Sequence, residues 1–179
     1  MHHKIVIANS KMAHNGKSTS IRYVFELLRT RYRSTVILPT TGYDPVQDVE
    51  AIVEIPQSDG HIVKVGIESQ GDPETKTYPP RIIQSIKDFL VRECEIILVA
   101  TRTKGDTIDE VGKLRNVGWQ VIWFDNSTMR VDDYCNKPDA SGRKLDKQDE
   151  RLQDQLSRDY GLYVASLIER LVLKEGELF

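Results

Sequence analysis

The chain has 179 residues, 39% of them hydrophobic and 29% charged, with 11 glycines and 7 prolines. That length suits one domain with a sizeable core, and the composition excludes collagen-like, coiled-coil and wholly disordered chains. With 25 Lys and Arg against 27 Asp and Glu, the net charge of −2 lacks the basic footprint of a dedicated nucleic-acid binder, so nucleic acid is not an expected partner. No apolar run approaches the roughly 20 residues of a membrane span. Met1-His2-His3-Lys4 leads directly into a strand-like run, so no signal peptide or anchor is expected and the chain reads as cytoplasmic. Cys94 and Cys135 match no zinc spacing and read as structural thiols. No internal repeat is present.

In chain order, Ile5-Val6-Ile7 is the first strand-like run. Ile21, Val24, Phe25 and Leu28 then keep the i, i+3, i+4, i+7 spacing of an amphipathic helix, and Val36-Ile37-Leu38 is the second run. Ala51-Ile52-Val53-Glu54-Ile55 breaks the alternation. It precedes the turn-rich Pro56-Gln57-Ser58-Asp59-Gly60 and reads as a short edge strand in a hairpin with the third run, Ile62-Val63-Lys64-Val65-Gly66-Ile67. Pro79-Pro80 opens a second helix carrying Ile82, Ile83, Ile86, Phe89 and Leu90. The fourth run is Ile96-Ile97-Leu98-Val99. A third helix is expected to start at Thr107, with Thr107 and Glu110 as a capping box, and to stop at Gly118. The fifth run is Val121-Ile122-Trp123-Phe124. Residues 126–150 are polar and read as a loop or lid, and Leu152, Leu156, Tyr163, Leu167 and Leu171 mark a terminal helix over about 148–174. The expected architecture is α/β: a three-layer α/β/α domain over residues 1–179, with a mainly parallel five-stranded sheet.

Between the first strand and first helix lies Ala8-Asn9-Ser10-Lys11-Met12-Ala13-His14-Asn15-Gly16-Lys17-Ser18-Thr19. Gly16 lets the backbone pass close to phosphate oxygens, and successive N–H groups and the helix N-terminus hold negative charge. Lys17 can reach β/γ phosphates and Ser18 can ligate Mg²⁺. The bland alternative is an ordinary strand-to-helix turn capped by Ser18. Gly16-Lys17-Ser18-Thr19 resembles the end of the Walker A motif of P-loop NTPases, with Lys11 where G-x-x-x-x-G-K-S/T has its first glycine. That lysine is similar to the deviant Walker A of the partitioning ATPases and the nitrogenase iron protein, in which the first lysine reaches the nucleotide of a dimer partner. This chain has one extra residue between its lysines, and Met12-Ala13 where that class has Gly-Gly.

The resemblance implies a P-loop NTPase-like fold, strand order 2-3-1-4-5, and ATP with Mg²⁺ held by Lys11, His14, Asn15, Gly16, Lys17, Ser18 and Thr19. Protonation of His14 would add positive charge near the anion. Asp44, after the second run, or Asp72 would orient the attacking water or an acceptor hydroxyl; the alternative for Asp44 is an Asp-Pro turn. Glu68, ending the third run, looks like a Walker B acid that holds the metal, with Asp72 second and Gly71 as a switch glycine. The alternative is a polar loop punctuated by Pro73. Arg102 would neutralise charge developing in transfer, or be a solvated loop residue. Thr103-Lys104-Gly105-Asp106 resembles the N/T-K-x-D guanine motif, but the strand count opposes it, so ATP is favoured over GTP. Arg130, Arg143 and Lys144 would close over the nucleotide or be solvated. Asp125 and Asn126 would touch the base or cap a turn.

His61 has no second ligand at metal spacing, and no nucleophile elbow is present. A Rossmann-like rival lacks G-x-G-x-x-G. The function that follows is a Mg-ATP-dependent NTPase, or a phosphotransferase acting on a small-molecule or nucleotide acceptor. The alternatives are a nucleotide-switched homodimer using Lys11, and a non-catalytic binding module on a degraded P-loop.

Overall fold

The computed structural model describes residues 4–10, 17–70, 81–101, 106–125 and 147–173. The elements are β1 (Ile5–Ser10), α1 (Lys17–Arg29), β2 (Arg33–Leu38), β3 (Glu50–Pro56), β4 (Ile62–Glu68), α2 (Arg81–Val91), β5 (Ile96–Thr101), α3 (Asp106–Lys113), a 3₁₀ turn (Leu114–Val117), β6 (Gln120–Asp125) and α4 (Lys147–Leu173). Among the described residues, no helix is long and apolar enough to cross a membrane.

Among the described residues the sheet has six strands in the order β2-β3-β4-β5-β1-β6. β1 runs parallel to β5 and β6, and β4 parallel to β5. β3 is antiparallel to both β2 and β4, so the expected five strands become six and the sheet, mainly parallel as expected, is mixed. The five anticipated runs are all present and mutually parallel; β3 is the addition. It is also an interior strand, not the expected edge. Ala51, Val53 and Ile55 are buried on one face and Ile52 on the other, so the strand has apolar surface to cover on both sides. The hairpin to β4 is closed by Gln57 N–H donating to His61 O at 2.8 Å, with Gly60 at φ +90°. β2, with exposed Arg33 and Thr35, takes the outer edge, where polar side chains discourage further pairing.

Strand order departs from the resemblance too. Counting only the five parallel strands in chain order, the sequence across the sheet is 2-3-4-1-5, so β5 separates β1 from β4. Helices cover both faces. Ile5, Ile7, Val65, Ile67 and Leu98 pack with Ile21, Val24, Phe25 and Leu28 of α1 and Val164, Ile168 and Val172 of α4. Val6, Ala8, Ile97 and Val99 pack with Ile82, Ile86 and Phe89 of α2 and Val111 of α3. The alternation of a strand's side chains sorts each run between these two cores.

α3 begins one residue before the expected start, so Thr107 lies inside it, and Glu110 accepts from Lys113 Nζ at 2.8 Å. Gly118 ends the segment as anticipated, in the left-handed region at φ +87°, with its N–H donating to Arg115 O. Cys94 is buried before β5, where burial pushes its thiol up to about 12 and leaves it unreactive at neutral pH. Cys135 lies outside the described residues.

α4 is held against α1 at two points. Tyr23 Oη donates to Asp154 Oδ1, and Arg158 stacks over the Tyr23 ring at 4.8 Å. Further along, Arg31 makes two bonds to Glu169 at 2.8 and 2.9 Å, joined by Tyr32 Oη at 3.0 Å. The helices approach closely because Gly161 has no side chain: a Cβ there would lie 2.7 Å from Tyr23 Cβ. Gly161→Ala is expected to push α4 outward and destabilise by about 2 kcal/mol, read as a lower urea midpoint with m unchanged.

Candidate functional site

α1, which follows β1, packs on one face of the sheet, and α3, which follows β5, packs on the other. Since β1 and β5 are neighbours, the crevice outside their carboxyl ends is a topological switch point, where open α/β sheets bind ligands. Its floor is polar. Ser10 lies beside Thr101 in register. Asn9 is fully buried, and among the described residues neither its amide atoms nor the buried Thr101 hydroxyl has a hydrogen-bond partner. Each such group costs about 1–3 kcal/mol, an expense that an entirely apolar strand end would avoid.

α1 opens at Lys17, so the helix N-terminus, with amides that have no intrahelical partner and a partial positive charge, begins there. Ser18 and Thr19 are half-buried in the first turn, and Thr19 Oγ1 accepts from Arg22 Nη2 at 3.1 Å. Lys11, His14, Asn15 and Gly16 lie outside the described residues, as do Gly71, Asp72, Arg102 to Gly105, Asn126, Arg130, Arg143 and Lys144 and the side chains of Lys17 and Asp125.

Glu68 is placed clearly. It is fully buried and faces the α2 side of the sheet, with Val99 beside it in register. Its Oε2 accepts from Arg81 Nε at 3.0 Å and Ser85 Oγ at 2.7 Å, and its Oε1 from Gln70 N–H at 2.7 Å. Glu50, directly opposite on β3, is also buried, and its Oε2 lies 3.9 Å from the same Arg81 Nε. One guanidinium therefore serves two buried carboxyls. Burial raises Glu68 to about 7 against the opposing pull of Arg81, Ser85 and the Gln70 amide, with Glu50 adding to the rise. Burial raises Glu50 as well.

The fit to Mg²⁺ is poor at this residue. Both Glu68 oxygens already accept hydrogen bonds, and α1 with Ser18 covers the opposite face. β4 also lies two strand spacings, roughly 10 Å, from β1. Among the described residues, no group of three or more His, Cys, Asp or Glu could hold a metal ion.

Asp44 sits elsewhere. β2 is the far edge strand, and the chain after it folds back over α1. Tyr43 packs edge-on against Phe25 at 5.1 Å, and Arg22 Nη1 donates to Val46 O at 3.0 Å. Both Asp44 oxygens serve its own turn, accepting from Val46 N–H at 3.0 Å and Gln47 Nε2 at 2.9 Å.

Sequence reasoning missed Glu50, Arg81 and Ser85. The only local signal was Arg81 following Pro79-Pro80 with Ser85 one turn on; their meeting with Glu68 depends on β3 lying beside β4.

No protein-family model, curated protein or solved structure matches the chain.

Proposed function

We propose that the chain binds a nucleoside triphosphate, ATP in preference to GTP, through Lys11 to Thr19, and uses it as an NTPase or phosphotransferase. The observation that supports this is the opening of α1 at Lys17, the next element after β1, an interior strand beside the β1/β5 switch point. There Lys17 and the helix amides would hold phosphate oxygens, and Ser18 would offer a hydroxyl to the accompanying cation. No step is assigned to Glu68, whose carboxyl is committed to Arg81, Ser85 and the Gln70 amide.

That commitment favours a second reading, a binding module that holds a nucleotide without hydrolysing it. The test is thermal unfolding with ATP, GTP or ADP, each with Mg²⁺, for the natural chain and Lys17→Ala. At 100 times Kd a ligand stabilises by about 2.7 kcal/mol, or about 5–10 °C at this chain length. The expected result is an upward shift with ATP that disappears in Lys17→Ala. No shift with any nucleotide would remove both readings. A shift without phosphate release over hours would select the binding module.

A further inference from the structure

Away from the switch point, the solvent-facing side of α1 floors a groove of about 710 Å³, walled by the 43–46 loop on one side and α4 on the other. That volume lies within the range of small-molecule sites, about 300–1,000 Å³. Its rims are apolar and unusually bare: Val46 is 78% exposed and Leu162 52%. Leu27 lies on the floor between them.

The charges in the groove divide into two kinds. Asp154 and Arg158 are already satisfied: Asp154 accepts from Arg158 Nε at 2.9 Å and from the Tyr23 hydroxyl. Arg22 and Glu26, one helical turn apart on the floor, make no ion pair among the described residues, and the Glu26 carboxylate, beside the buried Tyr43 hydroxyl, adds to the rise that burial imposes on that tyrosine. Among the described residues Arg22 is held by neutral acceptors, Val46 O at 3.0 Å and Thr19 Oγ1 at 3.1 Å, which fix a guanidinium with no carboxylate partner among them.

We propose that this groove binds a zwitterionic amphipathic molecule of dipeptide size, with its carboxylate on Arg22, its ammonium on Glu26 and its apolar side chains on Leu27, Val46 and Leu162. Four residues of α-helix rise about 6 Å, close to the separation of the two termini of an extended dipeptide, roughly two steps of 3.3 Å. A guanidinium matches a carboxylate through two parallel N–H bonds, which gives direction as well as attraction. The apolar rims then decide which side chains are accepted.

Leucyl-leucine is the probe, measured by calorimetry on the full chain, with N-acetyl-leucyl-leucine and leucyl-leucinamide each lacking one charge. The dipeptide should bind about fivefold to tenfold more tightly than either capped form. Arg22→Gln should erase its advantage over the amide, and Glu26→Gln its advantage over the acetylated form. Leu162→Glu, at an exposed position where folding is not at stake, should weaken all three. Lys17→Ala should leave peptide binding unchanged, so the groove and the nucleotide reading fail independently. Absence of saturable binding at millimolar peptide, equal affinity for the capped and free forms, or indifference to Leu162→Glu would each overturn the assignment.

Discussion

Arg81→Met is expected to destabilise the chain by about 3 kcal/mol at pH 8 and by clearly less at pH 5. Removing one partner from a buried ion pair leaves the other charge unpaired, at a cost of about 3–5 kcal/mol. Here the loss strands two carboxyls, since Arg81 Nε lies 3.0 Å from Glu68 and 3.9 Å from Glu50. Acid relieves the damage because both carboxyls can take up protons.

The natural chain should show the same chemistry in milder form. Glu68 is raised to about 7 from 4.5, so the native state holds this proton more tightly than the unfolded chain does. The stabilisation is complete below about pH 4.5 and is lost as pH rises through about 7. Urea unfolding of the natural chain should therefore lose on the order of 3 kcal/mol between pH 4.5 and 7.5, and Glu68→Gln should flatten that slope. An equal slope in Glu68→Gln would place its origin in another group.

Gly66→Ala should destabilise by about 3 kcal/mol, or about 6–12 °C in melting temperature. Gly66 lies on β4 between Ile52 and Ile97 in register, and the Phe89 ring of α2 rests on its bare backbone. A Cβ at Gly66 would meet three ring atoms at 2.6, 2.7 and 2.8 Å. Phe89 is fully buried in the core between the sheet and α2, so the ring can yield only by moving the helix. Phe89→Leu should return room to the new methyl. The double variant is then less destabilised than the sum of the single changes, with a coupling of about 1–2 kcal/mol. Strict additivity would mean that α2 shifts freely and the contact does not set its position.

These two sites bear on function through the same piece of structure. β4 and α2 form the sheet end where Glu68, Glu50, Arg81 and Ser85 converge. β5 stands between that cluster and the β1 strand that leads to the proposed phosphate loop. The resemblance to P-loop proteins treated Glu68 as a neighbour of the phosphate loop. In the folded chain it is a buried anchor for the start of α2.

What the sequence determined by itself was local. β-branched runs select strands wherever both faces are buried, so the five expected runs are strands, and periodic apolar residues mark α1, α2 and α4. Gly118 ends the third helical segment because only a left-handed residue turns the chain there. The opening of α1 at Lys17 is likewise written in adjacent residues. Tertiary structure decided what depends on distant partners. The Ala51 to Ile55 run looks alike as an edge or an interior strand until β2 covers its outer side, and strand order leaves no trace in any short window. Glu50 and Glu68 are 18 positions apart and Arg81 another 13, yet they share one buried cluster because antiparallel pairing sets the first two face to face and α2 brings its first residue over them. The groove along α1 arises in the same way, from α4 docking beside a helix more than 100 residues earlier in the chain. Local propensity acts within a few residues, whereas burial acts on whatever the chain folds together, and only the second can assemble a site.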